Sequence, residues 1–175
     1  LHGQIIENSC VGCHMAATPG MDDKGTPDDS SDDEPLPGHN SVGQHTFAMV
    51  SPVDGTENVA VCQGCHSNIE SFAFDASGDY DGDGAVETNQ DEVAGLLEVV
   101  QAALEESGVA VLDHHPYFEL PEDASVDVKG AVFNFKMIRD DQGSVVHNLK
   151  YTVGLLQLSY AKLTGEPVPG AMLVE

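Results

Sequence analysis

Cys10-Val11-Gly12-Cys13-His14 and Cys62-Gln63-Gly64-Cys65-His66 are two copies of one pattern, and together they use all four cysteines of the chain. Two thiols three positions apart stand about one turn apart on a helix, with an imidazole beside the second. That is the spacing of covalent haem c attachment, in which each thiol forms a thioether with a haem vinyl group and the adjacent His takes an axial position on the iron. Four thiolates can instead hold a structural zinc ion, and a Cys-x-x-Cys pair can be a redox dithiol. Neither alternative accounts for a His after the second Cys both times, with no cysteine left over. Two covalent haems c are therefore expected, one on Cys10, Cys13 and His14, the other on Cys62, Cys65 and His66. Haem is attached after export, so an extracellular or periplasmic location is expected. The start at Leu1 rather than Met is expected if a targeting segment has been removed, and a fragment of a longer chain would look the same.

The rest of the composition agrees with a fold organised around such groups. Trp is absent and aromatic residues make up 6% of the chain, so the side chains alone promise a modest core that two macrocycles would enlarge. At a prior of about 150 residues per domain, residues 1–175 read as a single dihaem domain. Against 30 acidic residues stand 6 Lys and Arg, for a net charge of −24, which excludes a phosphate backbone or an anionic membrane surface as partner. No window approaches the roughly 20 apolar residues of a membrane span, the longest candidate being Tyr151 to Ala161.

Residues 20–38 are rich in Asp, Ser, Pro and Gly and read as a long acidic loop, whose seven acids from Asp22 to Glu34 could meet cations or stay solvated. From Asn89, the spacing of Val93, Leu96, Leu97, Val100 and Leu104 predicts a helix capped by Asn89 and ended by Gly108. A second helix is expected over Val126 to Arg139, capped by Ser125, with Val128, Ala131, Val132, Phe135 and Ile138 inward. A third runs from about Val145 to Thr164, with Val146, Leu149, Val153, Leu156, Tyr160 and Leu163 on one face and Gly165 closing it. Residues 166–175 carry two prolines and an apolar end, and read as an extended C-terminal arm. The expected fold class is mainly α with long loops, a small haem-organised protein of about three helices and little sheet.

Residues 79–92 read as a calcium-type loop. Asp79, Asp81 and Asp83 occupy positions one, three and five, Gly84 the sharp sixth, Ala85 offers a backbone oxygen at seven and Glu87 a ligand at nine. The pattern breaks at position twelve, where Gln90 stands for the usual Glu, so that Asp91 or Glu92 would have to substitute through a shifted helix start. An acidic turn without an ion is the alternative. Bound calcium would be structural, pinning the helix that follows to the second haem segment.

Six histidines remain once His14 and His66 are assigned: His2, His39, His45, His114, His115 and His147. The Cys10 to Met15 run, the His45-Thr46-Phe47 triplet, and Val146-His147-Asn148 with Tyr151, Leu155 and Leu156 resemble segments of multihaem c-type cytochromes of the dihaem, bis-His type. The resemblance covers scattered motifs, and only the two Cys-x-x-Cys-His units are specific. It implies His45 and His147 as distal iron ligands. His147 opens an amphipathic helix that could aim it, and Phe47, Ala48, Met49 and Val50 offer an apolar wall beside His45. Met49 is the alternative sixth ligand and would raise the potential.

With both irons six-coordinate, neither has an open position for a substrate, so electron transfer is expected rather than enzymatic activity, at low potential among many carboxylates. A dihaem enzyme such as a peroxidase or small oxyanion reductase is the alternative, with His114, His115 and Tyr117 as its candidate groups. A calcium-dependent assembly module with haem as scaffold is a third reading. Partners would be other redox proteins, extracellular electron acceptors, or copies of the same chain. The resemblance extends to extracellular cytochrome filaments, or nanowires. In such a filament His2 could ligate a haem of the adjacent copy, and an apolar arm at Met172, Leu173 and Val174 that cannot fold back would be covered by a neighbour. A soluble monomeric shuttle is the rival form.

Overall fold

The computed structural model describes residues 8–141 and 144–174. Among these residues the protein is mainly helical, with four helices and two sheets of two short strands each. Where length alone promises one unit, the contacts within the chain divide it after Phe72 into two compact units. Both Cys-x-x-Cys-His motifs lie in the first, and the acidic loop of residues 79–92 lies in the second.

The second unit is built from three helices: α2 (Asn89–Glu106), α3 (Val126–Asp140) and α4 (Ser144–Thr164). Each of the three packs on the other two. Their apolar stripes meet in one core, where Leu96, Val100, Leu104, Val153 and Leu156 are fully buried. At about 25 cal/mol per Å² of apolar area removed from water, this stripe-to-stripe burial is the main driving force for the unit. The β3 (Ala110–Val111) and β4 (Phe118–Glu119) hairpin closes one end, where Phe118 meets Phe135 edge to face at 5.7 Å and the Arg139 guanidinium sits 5.0 Å above the Phe118 ring.

Helix boundaries follow the expected stops with two corrections. The cap of α2 is Thr88, whose hydroxyl accepts from the Asp91 amide at 3.2 Å, so Asn89 is already inside the helix. Ser125 caps α3 as expected, accepting from the Val128 amide at 3.2 Å. The third helix is broken near its start, because Asn148 has non-helical φ −157° and ψ 51°. Only the part after Asn148 carries the buried face, and Val146 is 55% exposed.

The C-terminal arm has no regular secondary structure, and it folds back onto its own unit. Val168 is buried, and the buried Gln157 amide donates to the Tyr80 carbonyl at 3.0 Å and to the Met172 carbonyl at 2.9 Å. The same amide accepts from the Val174 N–H at 3.1 Å, while the Met172 N–H donates to the Asp79 carbonyl at 2.5 Å. The expectation that this arm cannot fold back is therefore overturned, although Met172 stays 42% and Leu173 53% exposed. One side-chain amide with three main-chain partners supplies the internal docking.

The first unit has a different character. It comprises α1 (Ser9–His14), the β1 (Met21–Asp22) and β2 (Glu34–Pro35) hairpin across the mouth of the acidic loop, and 3-10 turns at Gln44–Thr46 and Val59–Val61. Lys24 sits within the hairpin, 2.8 Å from Asp22 and 2.9 Å from Glu34, and both pairs are solvent-exposed, so they add little to stability. Among the described residues of this unit, Val42 and Phe72 are the buried hydrophobic side chains. Polar contacts do much of the holding. Asp54 accepts from the Gly38 amide at 2.9 Å and the Thr56 amide at 3.0 Å, tying residues 38 and 51–56 together.

The Ser51 hydroxyl, followed by the Thr56 and Gly38 amides, holds the Asp54 carboxyl well below the usual carboxylate range. A carboxylate with a depressed folded-state pKa stabilises the fold above its unfolded pKa, and that contribution is lost as pH falls through the folded value. Asp54→Ala should thus lower the melting temperature at neutral pH, and the gap from wild type should narrow once the pH drops below about 3.9. A gap of equal size at neutral and strongly acidic pH contradicts this account.

Candidate functional site

In the first motif, α1 places Cys10 and Cys13 one turn apart, with Cys10 exposed and Cys13 half-buried. The His14 Nδ1 lies 2.8 Å from the Phe47 carbonyl oxygen. A carbonyl can only accept, so Nδ1 carries the proton of this bond. Anchoring the far ring nitrogen on a carbonyl is how proteins fix the tautomer and orientation of a metal-ligating imidazole. The Phe47 ring stacks on the His14 ring at 4.5 Å and 11°, locking it further. Phe47 does this from a left-handed backbone conformation, φ 59°, uncommon for a bulky residue.

The second motif is a single turn, closed by the Cys65 and His66 amides donating to the Cys62 carbonyl at 3.1 and 2.8 Å. It follows directly on the Val59–Val61 turn, and no disulfide joins any of the four cysteines. Burial pushes the Cys62 thiol up, and the charges of Cys13 and Cys65 add to the effect, so thiols of the two motifs sense one another. The link between the motifs is the buried Asn58, whose side chain donates to the Ala17 carbonyl at 3.5 Å. The Gln44 amide donates to the neighbouring Ala16 carbonyl at 2.9 Å, drawing in the 3-10 turn that carries His45.

These features fit two covalent haems. The donor set is a pair of thiols beside an imidazole in each motif, with the first imidazole held on a carbonyl. The first unit also leaves apolar side chains in water that a macrocycle would cover: Val11 is 50% exposed, Met15 49% and Phe47 46%.

The expected distal ligands are placed unevenly. His45 is exposed in the Gln44–Thr46 turn, two residues before Phe47. His147 is exposed in the second unit, immediately before the break at Asn148, so the long helix does not aim it as the periodicity suggests. Met49 is half-buried, and His2 lies outside the described residues. His114, His115 and Tyr117 sit together on the exposed turn between β3 and β4, where the His114 side chain is 73% exposed.

In the acidic loop, the structure brings together Asp79, Asp81 and Glu92, with one carboxylate oxygen of each within 4.8 Å of the others. Of Asp91 and Glu92, the two residues expected to stand in at position twelve, it is Glu92 that joins the group, turned inward in the first turn of α2 after the Thr88 cap. It is fully buried and accepts from the Tyr80 amide at 2.6 Å and the Glu87 amide at 3.0 Å. Asp91, the other expected substitute, is occupied at the helix cap, where it accepts from the Thr88 hydroxyl at 2.6 Å. Asp83, Ala85 and Glu87 are exposed and stand outside the three-carboxylate group. Burial raises the Asp81 carboxyl above its ordinary range, with the charges of Asp83, Glu92 and Asp79 pushing the same way. An open groove of ≈ 600 Å³ beside it is lined by Asp81, Asp83, Glu87, Asp91 and Glu98 among others.

Two glycines make this approach possible. A Cβ on Gly95 would fall 1.8 Å from Asp81 Oδ2, so α2 admits the carboxylate only where it has no side chain. Gly82, at φ +85°, lets the loop pass the Pro169 carbonyl, which a Cβ would meet at 2.0 Å. Gly95→Ala should therefore displace Asp81 and lower the unfolding free energy of the second unit by about 1–3 kcal/mol, read from urea unfolding of its helical signal. An unchanged midpoint contradicts the packing described.

Comparison of the chain with protein-family models, with curated proteins and with solved structures finds no match.

Proposed function

We propose that the chain is a dihaem c-type cytochrome that carries electrons outside the cytoplasm, in the periplasm or extracellular space, between other redox proteins or extracellular acceptors. The observation that carries the reading is the His14 imidazole, held by the Phe47 carbonyl at 2.8 Å inside one of two Cys-x-x-Cys-His motifs. When bound, each haem iron supplies a one-electron couple. Cys10, Cys13, Cys62 and Cys65 fix the groups covalently, His14 and His66 give one axial nitrogen each, and His45 and His147 are the sixth ligands that the resemblance nominates. A chain with 30 acidic residues against 6 basic ones surrounds the sites with negative charge, which favours the oxidised state and a low potential. The role is electron transfer rather than catalysis, because two axial imidazoles per iron leave no position for a substrate.

Two further elements belong to this reading. A calcium ion at Asp79, Asp81 and Glu92 would relieve the repulsion among three close carboxylates and pin the loop to α2. Assembly into an electron-conducting filament rests on His2 and on more histidines than one isolated dihaem chain uses. The C-terminal arm docks on its own unit but leaves Met172 and Leu173 about half exposed, so both the filament and the monomeric shuttle stay open. Among the described residues no helix is long and apolar enough to cross a membrane.

The intact mass of the natively matured protein tests the main reading: two haems per chain are expected, and a bare polypeptide mass would overturn it. In that holoprotein, His45→Ala or His147→Ala should leave both haems attached and create a high-spin, carbon-monoxide-binding iron. Two unchanged low-spin spectra would show that other side chains hold those positions. Sedimentation and electron microscopy of native material decide the form. Long polymers support the filament, and a single slow species near 18.5 kDa plus haem supports the shuttle.

A further inference from the structure

We infer that His39, which no motif singles out, is an axial ligand of one haem in the first unit, with its imidazole preset by the Pro19 carbonyl. The inference rests on the dihaem reading and puts His39 in place of one of its two nominated distal ligands. The His39 Nδ1 lies 2.5 Å from the Pro19 carbonyl oxygen, twenty residues away in sequence. As at His14, a carbonyl partner fixes the proton on Nδ1, and a neutral ring then has its lone pair on Nε2. Coordination through Nε2 therefore forms one bond to iron and displaces no proton. The same carbonyl contact makes the ring a stronger donor and holds its plane.

The backbone around His39 is pinned on both sides. The Gly38 amide donates to Asp54 at 2.9 Å, and the Gly38 carbonyl accepts from the Thr18 hydroxyl at 3.2 Å. The His39 amide donates to the Leu36 carbonyl at 2.9 Å, and the Asn40 amide to the Thr18 hydroxyl oxygen at 2.7 Å. Thr18 and Pro19 follow His14 by four and five residues, so these bonds tie His39 to the strand of chain leaving the first motif. At no more than about 3.6 Å per residue, five residues keep Pro19, and the carbonyl that holds His39, within roughly 18 Å of His14.

His114 and His45 differ from His39 in placement. His114 also places Nδ1 on a carbonyl, that of its neighbour His115 at 3.0 Å, but its side chain is 73% exposed and belongs to the second unit. His45 is two residues from the Phe47 ring that lies on the proximal imidazole. His39 is half-buried, held from both flanks, and in the unit that carries both motifs.

The test uses the matured holoprotein with His39→Ala and His39→Met, reading haem content by intact mass, spin state by electron paramagnetic resonance, and carbon monoxide uptake. His39→Ala should keep two haems, turn one high-spin and bind one carbon monoxide per chain. His39→Met should keep both low-spin and raise one of the two potentials, because a thioether replaces an imidazole. The Met variant decides the matter if the Ala variant fails to mature. Both irons low-spin, closed to carbon monoxide and at unchanged potentials in these variants would overturn the assignment while leaving the dihaem reading intact. A wild-type chain without haem would overturn both. If His39 is a ligand, a single sixth position remains for His45 and His147, and one of those two substitutions should be silent.

Discussion

The first unit lacks an interior of its own, and that constraint shapes everything in it. Among its described residues, two hydrophobic side chains are buried, whereas the second unit packs three helices around a continuous apolar core. A segment with so little apolar burial cannot offset about 1–2 kcal/mol of conformational entropy for each residue it orders. On the proposed reading, two thioether-bound macrocycles would provide the missing apolar mass at the place where Val11, Met15 and Phe47 are left half in water. On this account the cofactor is the core, and the polar bonds of Asp54, Asn58 and Thr18 set the shape of the shell around it.

The second unit stands on conventional packing, and its chemistry is carried at one edge. The Asp79, Asp81 and Glu92 carboxylates converge because α2 starts at Asn89 and offers Gly95 opposite Asp81. Gln157 then ties the same loop to the C-terminal arm, joining Tyr80, Met172 and Val174 through one buried amide. Charge repulsion in the loop and docking of the arm are thus linked through adjacent residues. An ion that quiets the first also steadies the second.

Much of this was legible in the sequence wherever the signal is local. The α2 and α3 stripes and the Ser125 cap depend on spacings of three and four residues, and each stands where the pattern puts it. What the pattern missed depends on distant partners. Thr88 displaced Asn89 as cap because the Asp75 and Thr88 bridge fixes the approach to the helix. The break at Asn148 leaves no trace in an apolar periodicity that continues past it. The arm looked unable to fold back because its anchor, Gln157, is a polar residue on a helix face read only for its apolar members, and its bond to Tyr80 spans 77 residues. His39 lies in a run without helical or strand pattern, and its carbonyl partner is visible only once Thr18 and Gly38 are brought together.

The most direct measurement on the central claim is residue-resolved hydrogen exchange on the natively matured protein and on a variant with all four cysteines replaced by serine. The account predicts that amides of residues 8–72 are protected in the first and exchange freely in the second, while protection in α2, α3 and α4 is the same in both. Equal protection of residues 8–72 with and without the four thiols would show that the first unit folds on its own side chains, and would contradict the claim that haem is its core.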